Sequence, residues 1–182
     1  MTIEETGIEG LLLLIPRVFG DDRGYFMESF NQKLFEETTG LKTQFVQDNE
    51  SKSSAGVVRG LHFQVPPKAQ AKLVRVVQGE VLDVAVDLRK SSLTYGHVYS
   101  VVLSAENKKM LYIPQGFAHG FTALKPDTIF CYKCSDFYSH ENERAIRFND
   151  PDLKIDWGVD HPIVSPKDLE ARLFADFKSP FE

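Results

Sequence analysis

The stretch Glu80–Arg89 reads Glu-Val-Leu-Asp-Val-Ala-Val-Asp-Leu-Arg and decides the fold class. Every second side chain along it is a leucine or a valine: Leu82, Val84, Val86 and Leu88. Such a period of two predicts a β-strand, because successive side chains of a strand point to opposite faces. Gly79 supplies the turn residue immediately before it.

Other segments repeat this pattern, with turn residues between them. They are Val57–Gln64, Lys72–Val77, Val98–Leu103, Met110–Ile113 and Ile129–Cys134. Many short strands at close spacing predict an all-β antiparallel sandwich or barrel.

Helical signals are confined to two short segments. Asn31–Gly40 begins with a good N-cap residue and ends with a glycine, which predicts a short helix. Ser165-Pro166-Lys167-Asp168 has an N-cap serine, a proline at the first helical position and an acid at the third. A second short helix is expected to start there and to lead into Leu169, Leu173 and Phe174.

Length and composition limit the class of protein. The 182 residues fit one domain, 1–182, with no repeat or Gly/Ser linker, and 42% hydrophobic with 26% charged residues is typical of a globular chain. The net charge is 21 minus 26, or −5, which disfavours a nucleic-acid partner. The longest apolar run, Leu11–Ile15, is too short to span a membrane, and the acidic start lacks the basic region of a signal peptide. We therefore expect a cytoplasmic protein with no nucleic-acid or membrane partner.

The chain has two cysteines, Cys131 and Cys134. Three positions apart on a strand, they should point to opposite faces and cannot bond to each other without distortion. No second cysteine pair completes a zinc site, so we predict two reduced packing cysteines. Cys134 should share the interior face of its strand with Phe130 and Tyr132.

Two motifs refine the fold. Arg59-Gly60-Leu61-His62-Phe63-Gln64 and Ile113-Pro114-Gln115-Gly116-Phe117-Ala118-His119-Gly120-Phe121 together resemble the paired motifs of the cupin superfamily. The resemblance implies a double-stranded β-helix jelly roll with a few short flanking helices. Many cupins bind a metal through two histidines one residue apart, a downstream acid and a histidine of the second motif. Here Gln64 and Lys72 stand where such ligands are expected, so we predict no metal and no cofactor.

A longer ordered set of motifs points to one family. It comprises Phe19–Glu28, Phe45–Asn49, Arg59–Gln64, Pro114–Phe121, Tyr132–Cys134, Asn149–Pro151 and Lys167–Asp168. From about Gly7 to about Phe174 the chain resembles the dTDP-4-dehydrorhamnose 3,5-epimerase family. The resemblance implies cofactor-independent epimerisation of dTDP-4-dehydro-6-deoxy-D-glucose to dTDP-4-dehydro-L-rhamnose, a step of dTDP-rhamnose biosynthesis.

The resemblance also implies catalytic roles that suit this chemistry. Inverting a carbon beside a ketone needs a base on one face, an acid on the other, and a cation at the enolate oxygen. In the family's pattern His62 is the base, Tyr132 the proton donor and Lys72 the enolate partner. Asp168 would orient His62, as the aspartate of a catalytic triad does. At the third helical position Asp168 could instead cap the helix.

Substrate-binding residues are likewise implied by the resemblance. They are Arg23, Phe26, Glu28, Gln47, Asn49, Arg59, His119, Tyr138 and Glu143. Arginines suit a diphosphate, and the aromatic residues Phe26 and Tyr138 suit stacking on a pyrimidine. His119 contacts substrate or is a structural remnant of a metal-binding ancestor. Because Arg59 and His62 would face opposite ways on a regular strand, Gly60 is expected to allow a bulge.

The resemblance implies a homodimer with exchange of an N-terminal strand, in which Arg23 reaches the diphosphate in the partner's barrel. Three other functions stay open. A single-carbon epimerase would also need His62. A non-enzymatic sugar-nucleotide-binding cupin would not need His62, Asp168 and Tyr132 together, and a metal-dependent dioxygenase is disfavoured by Gln64 and Lys72.

Overall fold

The computed structural model describes the whole chain, residues Met1–Glu182. The strands are β1 (Thr2–Glu5), β2 (Leu12–Ile15), β3 (Phe19–Asp21), β4 (Gly24–Phe26), β5 (Gln47–Ser53), β6 (Val57–Gln64), β7 (Lys72–Gln78), β8 (Glu80–Asp87), β9 (Val98–Ser104), β10 (Met110–Ile113), β11 (Phe117–Ala123), β12 (Thr128–Cys134), β13 (Glu143–Ala145) and β14 (Ile163–Val164). The helices are α1 (Gln32–Thr39), α2 (Pro166–Leu169) and the 3-10 turns His140–Asn142 and Phe174–Asp176. None of the helices is long and apolar enough to cross a membrane.

The strands form two main sheets. The first sheet has the order β1-β2-β10-β7-β12-β5, and the second has the order β13-β6-β11-β8-β9 with β14 parallel to β6. Apart from β14, all neighbouring strands in both sheets run antiparallel. β3 and β4 form a separate hairpin. This arrangement confirms the all-β prediction.

The main core lies between the two sheets. Val74 of β7 and Phe130 of β12 belong to the same buried cluster as Ala85 of β8 and Phe121 of β11. The outer face of the second sheet is also buried, because Trp157 and other residues of the C-terminal segment pack on it. Both faces of β8 are therefore covered, which explains why apolar residues occur at odd as well as even positions of the Glu80–Arg89 stretch.

β6 contains an irregularity that positions the site. His62 lies opposite His119, whereas Arg59 lies opposite Phe121, so three steps along β6 match two along β11. Gly60 has a φ of 132°, and a Cβ there would collide with the backbone of Gly120. The extra residue brings Arg59 and His62 to the same face, which confirms the predicted bulge.

The first predicted helix is confirmed. The Asn31 side chain accepts a hydrogen bond from the Leu34 N–H at 3.1 Å, and Gly40 ends α1 in the left-handed conformation. The buried Phe35 packs α1 onto the outer face of the first sheet.

The second helix is shorter than expected. α2 ends at Leu169 and does not extend to Leu173 or Phe174. After α2 the chain pairs instead with the segment that follows β13, where the Arg147 N–H donates to the carbonyl of Arg172 at 2.8 Å.

The cysteine prediction is confirmed in its geometry. Both cysteines are free, with Cys134 buried and Cys131 partly exposed beside Glu50. Cys134 lies on the interior face of β12 with Phe130 and Tyr132.

Candidate active site

A cavity of about 690 Å³ opens between the two sheets. Ten of the sequence-predicted residues line it: Gln47, Asn49, Arg59, His62, Lys72, His119, Tyr132, Tyr138, Glu143 and Asp168. They come from β5, β6, β7, β11, β12 and the segments around β13 and α2. The fold thus gathers polar side chains from most of the chain into one space.

His62 and Asp168 form a closely hydrogen-bonded pair in this cavity. His62 Nε2 lies 2.6 Å from Asp168 Oδ1, and the Asp168 side chain is only 4% exposed. Burial by itself would raise the pKa of Asp168, but hydrogen bonding and charge attraction from His62, together with the Gly60 N–H, hold that pKa below its usual value. A carboxylate fixed at Nε2 leaves Nδ1 as the imidazole atom able to accept a proton from a ligand.

The side chain of Asp168 does not cap α2. Ser165 caps α2, since its hydroxyl accepts a hydrogen bond from the Asp168 N–H at 3.2 Å. The Asp168 side chain points instead to His62. One residue therefore occupies the first helical turn and still orients the histidine.

Lys72 and Tyr132 lie on the opposite wall, in the first sheet. Lys72 Nζ donates to the His62 carbonyl at 3.2 Å and lies 6.0 Å from the centre of the Tyr132 ring. Burial lowers the pKa of Lys72, although Cys134, Asp83 and Glu143 oppose the change. Burial also raises the pKa of Tyr132, so its hydroxyl keeps its proton at neutral pH.

A second histidine–carboxylate pair lies beside the first. His119 Nε2 is 3.0 Å from both carboxylate oxygens of Asp83, which is fully buried. Burial lowers the pKa of His119 against the opposing effect of Asp83, and the nearby Lys72 lowers it further. Asp83 therefore fixes the imidazole of His119, which lies opposite His62 on the adjacent strand.

The cavity wall also carries a guanidinium and an exposed aromatic ring, which are bound at opposite ends of β5 through Ser53 and Gln47. Arg59 is held by Ser53, with Nε donating to the hydroxyl at 3.1 Å. The Tyr138 hydroxyl donates to Glu143 Oε2 at 3.1 Å, and Tyr138 remains 56% exposed. A guanidinium and an aromatic face suit a diphosphate and a planar base.

Comparison with known proteins identifies the family. The family model described as dTDP-4-dehydrorhamnose 3,5-epimerase matches residues 5–176. The chain belongs to the dTDP-4-dehydrorhamnose 3,5-epimerase family. A member of this name from Shigella flexneri is 55% identical over 176 residues, which covers 97% of each chain.

Solved structures of the epimerase family match in fold as well. The enzyme from Elizabethkingia anophelis has a TM-score of 0.92 and 52% identity, covering 97% of each chain. The enzyme from Legionella pneumophila, solved in complex with dTDP-4-keto-L-rhamnose, has a TM-score of 0.93 and 47% identity, covering 97% of this chain and 94% of that one. The cupin-type jelly roll expected from the sequence is thereby confirmed.

Three of the residues that the epimerase resemblance implied do not line the cavity of their own chain: Arg23, Phe26 and Glu28. Arg23 is 90% exposed in its side chain and pairs with Asp21 at 2.6 Å. Phe26 is 66% exposed, and Glu28 accepts a hydrogen bond from Asn31. All three lie on or next to the β3–β4 hairpin.

Sequence reasoning also missed polar residues of this epimerase-family site. Asp83, the partner of His119, was detectable as an acid on the interior face of β8 between Val81 and Ala85. Lys167 is adjacent to Asp168 and pairs with Glu143 at 2.6 Å. Its position in the sequence did not predict the contact with Glu143. No group of three or more His, Cys, Asp or Glu side chains is arranged to hold a metal ion.

Proposed function

We propose that this epimerase-family protein inverts C3 and C5 of dTDP-4-dehydro-6-deoxy-D-glucose to give dTDP-4-dehydro-L-rhamnose. The observation that carries the proposal is that His62 and Tyr132 belong to opposite sheets and line the same cavity. A base and an acid on opposite faces of a sugar ring are what inversion requires.

The substrate would lie along the cavity with its sugar between the two sheets. Tyr138 would stack on the pyrimidine, Arg59 would bind the diphosphate, and Gln47 and Asn49 would hydrogen-bond the nucleotide or its sugar. Glu143 and His119 would also contact the substrate, with Glu143 beside Tyr138. These roles rest on the cavity lining and on the family resemblance.

Proton abstraction would begin at His62. Its Nδ1 takes the proton from a carbon next to the C4 ketone, and the C–H electron pair delocalises onto the ketone oxygen as an enolate. Asp168 stabilises the resulting imidazolium, and the Lys72 ammonium stabilises the enolate oxygen. His119 is oriented by Asp83, and the nearby charge of Lys72 lowers the pKa of His119. The His119 side chain would help bind the same oxygen.

Proton return would come from the other wall. The Tyr132 hydroxyl donates its proton to the carbanionic carbon from the opposite face, the enolate collapses to the ketone, and the configuration is inverted. Solvent removes the proton from His62 and restores the one on Tyr132. The sequence then repeats at the second carbon, so no redox change and no cofactor enters the balance.

A homodimer would complete the site. β5 is an edge strand of the first sheet, and the β3–β4 hairpin exposes Phe19, Tyr25 and Phe26. Exposed edges and exposed aromatic groups are features that a second copy covers. In such a dimer the hairpin would bring Arg23, Phe26 and Glu28 to the partner's cavity.

The test is product analysis of the purified protein with dTDP-4-dehydro-6-deoxy-D-glucose. Proton NMR of the reaction should show inversion at both C3 and C5. Inversion at one carbon would establish the single-carbon alternative, and unchanged substrate with measurable dTDP binding would establish a binding protein.

A further inference from the structure

Gln64 occupies a buried position that the proposed reaction does not use. It lies on β6 two residues after His62, lines the cavity and is 5% exposed. The cupin resemblance places a metal-binding histidine at this position, but the glutamine amide here has other partners.

The Gln64 amide is fully engaged with two loops. Its Nε2 donates to the Lys68 carbonyl at 2.6 Å and to the Phe137 carbonyl at 3.2 Å. Its Oε1 accepts a hydrogen bond from the Ser139 N–H at 2.6 Å. Both donor hydrogens and the acceptor oxygen have partners, so the side chain is held in one orientation.

Two of these hydrogen bonds hold the residues that flank Tyr138 in the sequence. The residue before Tyr138 and the residue after it both bind Gln64, and the Tyr138 N–H itself donates to Gln47 Oε1 at 2.9 Å. Three consecutive backbone positions of an exposed loop are thus held by two glutamines of the cavity wall. The Tyr138 ring above them stays 56% exposed.

We propose that Gln64 is a positioning residue that presents the Tyr138 ring to the nucleotide base. The proposal rests on the proposed function, in which Tyr138 stacks on that base. Ordering the loop before the ligand arrives removes an entropy cost from binding, so the effect belongs to ligand affinity and not to proton transfer.

A merely structural role makes a different prediction. If Gln64 only stabilised the fold through Lys68, its loss would lower the stability without any particular effect at the Tyr138 loop. Gln115 provides a matched control, because its Nε2 also donates to a carbonyl of the same preceding loop, that of Ala69 at 2.9 Å, and it does not line the cavity.

The experiment compares Gln64→Met with Gln115→Met in dTDP binding and steady-state kinetics. Gln64→Met should raise the Kd for dTDP and the KM by about tenfold, the scale of losing one base–aromatic stack, with kcat within about twofold. Gln115→Met should leave both near wild type. Amide hydrogen exchange should become faster at Tyr138 and Ser139 in Gln64→Met only.

The decisive arm is the double variant Gln64→Met/Tyr138→Ala. Because Gln64 acts through Tyr138, the double variant should bind dTDP no more weakly than Tyr138→Ala alone. Additive losses, or unchanged exchange at Tyr138 and Ser139, would overturn the proposal.

A second variant keeps the test available if Gln64→Met does not fold. Gln64→Asn keeps an amide at this position but is one methylene shorter, so it cannot reach both loops at once, and it should show the same pattern with a smaller effect. Failure of the proposed function would be seen separately, as wild-type protein that binds dTDP without converting the keto sugar.

Discussion

Asp168 Oδ1 lies 2.6 Å from His62 Nε2, although the two residues are 106 positions apart in the chain. The bulge at Gly60 turns His62 inward, and the single helical turn of α2, capped by Ser165, delivers Asp168 to it. The pair is therefore a product of the tertiary fold.

Replacing Asp168 by Asn should lower kcat by about 10²- to 10⁴-fold, because a neutral amide neither fixes the imidazole tautomer nor stabilises its cation. Binding of dTDP should change little, since the residues proposed to bind the nucleotide are untouched. Calorimetry and steady-state kinetics would show this. Asp156→Asn, at an exposed turn where Asp156 Oδ1 accepts the Gly158 N–H, is the control and should be near wild type in both. A wild-type kcat in Asp168→Asn would remove Asp168 from the mechanism.

The lowered pKa of Asp168 also makes a prediction about stability against pH. A carboxyl whose pKa is lower in the folded state contributes stability that is present above its unfolded pKa and is lost as pH falls through the folded pKa. The wild type should therefore lose more stability than Asp168→Asn on acidification through that window. Urea unfolding at a series of pH values measures the difference between the two proteins. A difference that grows on acidification would contradict the stabilisation of the Asp168 carboxylate by His62.

Gly60 should be intolerant of a side chain. Gly60→Ala would have to accept a φ of 132° and a collision with Gly120, so we expect a loss of about 3 kcal/mol in the free energy of unfolding. Gly24→Ala is the matched control, because Gly24 has nearly the same φ, 130°, but has no atoms within 4 Å of the new Cβ. It should cost about 1 kcal/mol, the scale of a positive φ alone. Equal losses in denaturant unfolding would mean that the close approach of β6 and β11 has no energetic weight.

The proposed dimer predicts complementation between two inactive variants. Arg23→Ala and His62→Ala should each be inactive, but mixed dimers would hold one intact site of two. Random exchange of equal amounts should restore about a quarter of the wild-type activity, because half of the dimers are mixed. Heterodimers verified by mass spectrometry that show no activity would place Arg23 and His62 in the same site from one chain.

The parts of the fold that could be predicted are those with apolar periodicity. Val57–Gln64 and Met110–Ile113 are strands with the predicted bounds, and the glycine at position 60 correctly predicted the bulge in β6. β5 was missed because its alternate residues line the cavity or face solvent, so the strand is polar throughout.

The site was predictable where a motif carried it and not where contacts join distant segments. His62 and Asp168 came from motifs, whereas Asp83 and Lys167 gain their partners only through the folded topology. Three implied substrate-binding residues lie outside the cavity of their own chain: Arg23, Phe26 and Glu28. Their role depends on the proposed dimer.

Hydrogen exchange during turnover tests whether His62 and Tyr132 act from opposite walls of the cavity. With the wild-type protein in D2O, product NMR should show deuterium at both C3 and C5. Tyr132→Phe should still exchange at one carbon through His62 without accumulating the doubly inverted product, and His62→Asn should exchange at neither. Formation of the doubly inverted product by Tyr132→Phe at the wild-type rate, or wild-type exchange in His62→Asn, would contradict the account.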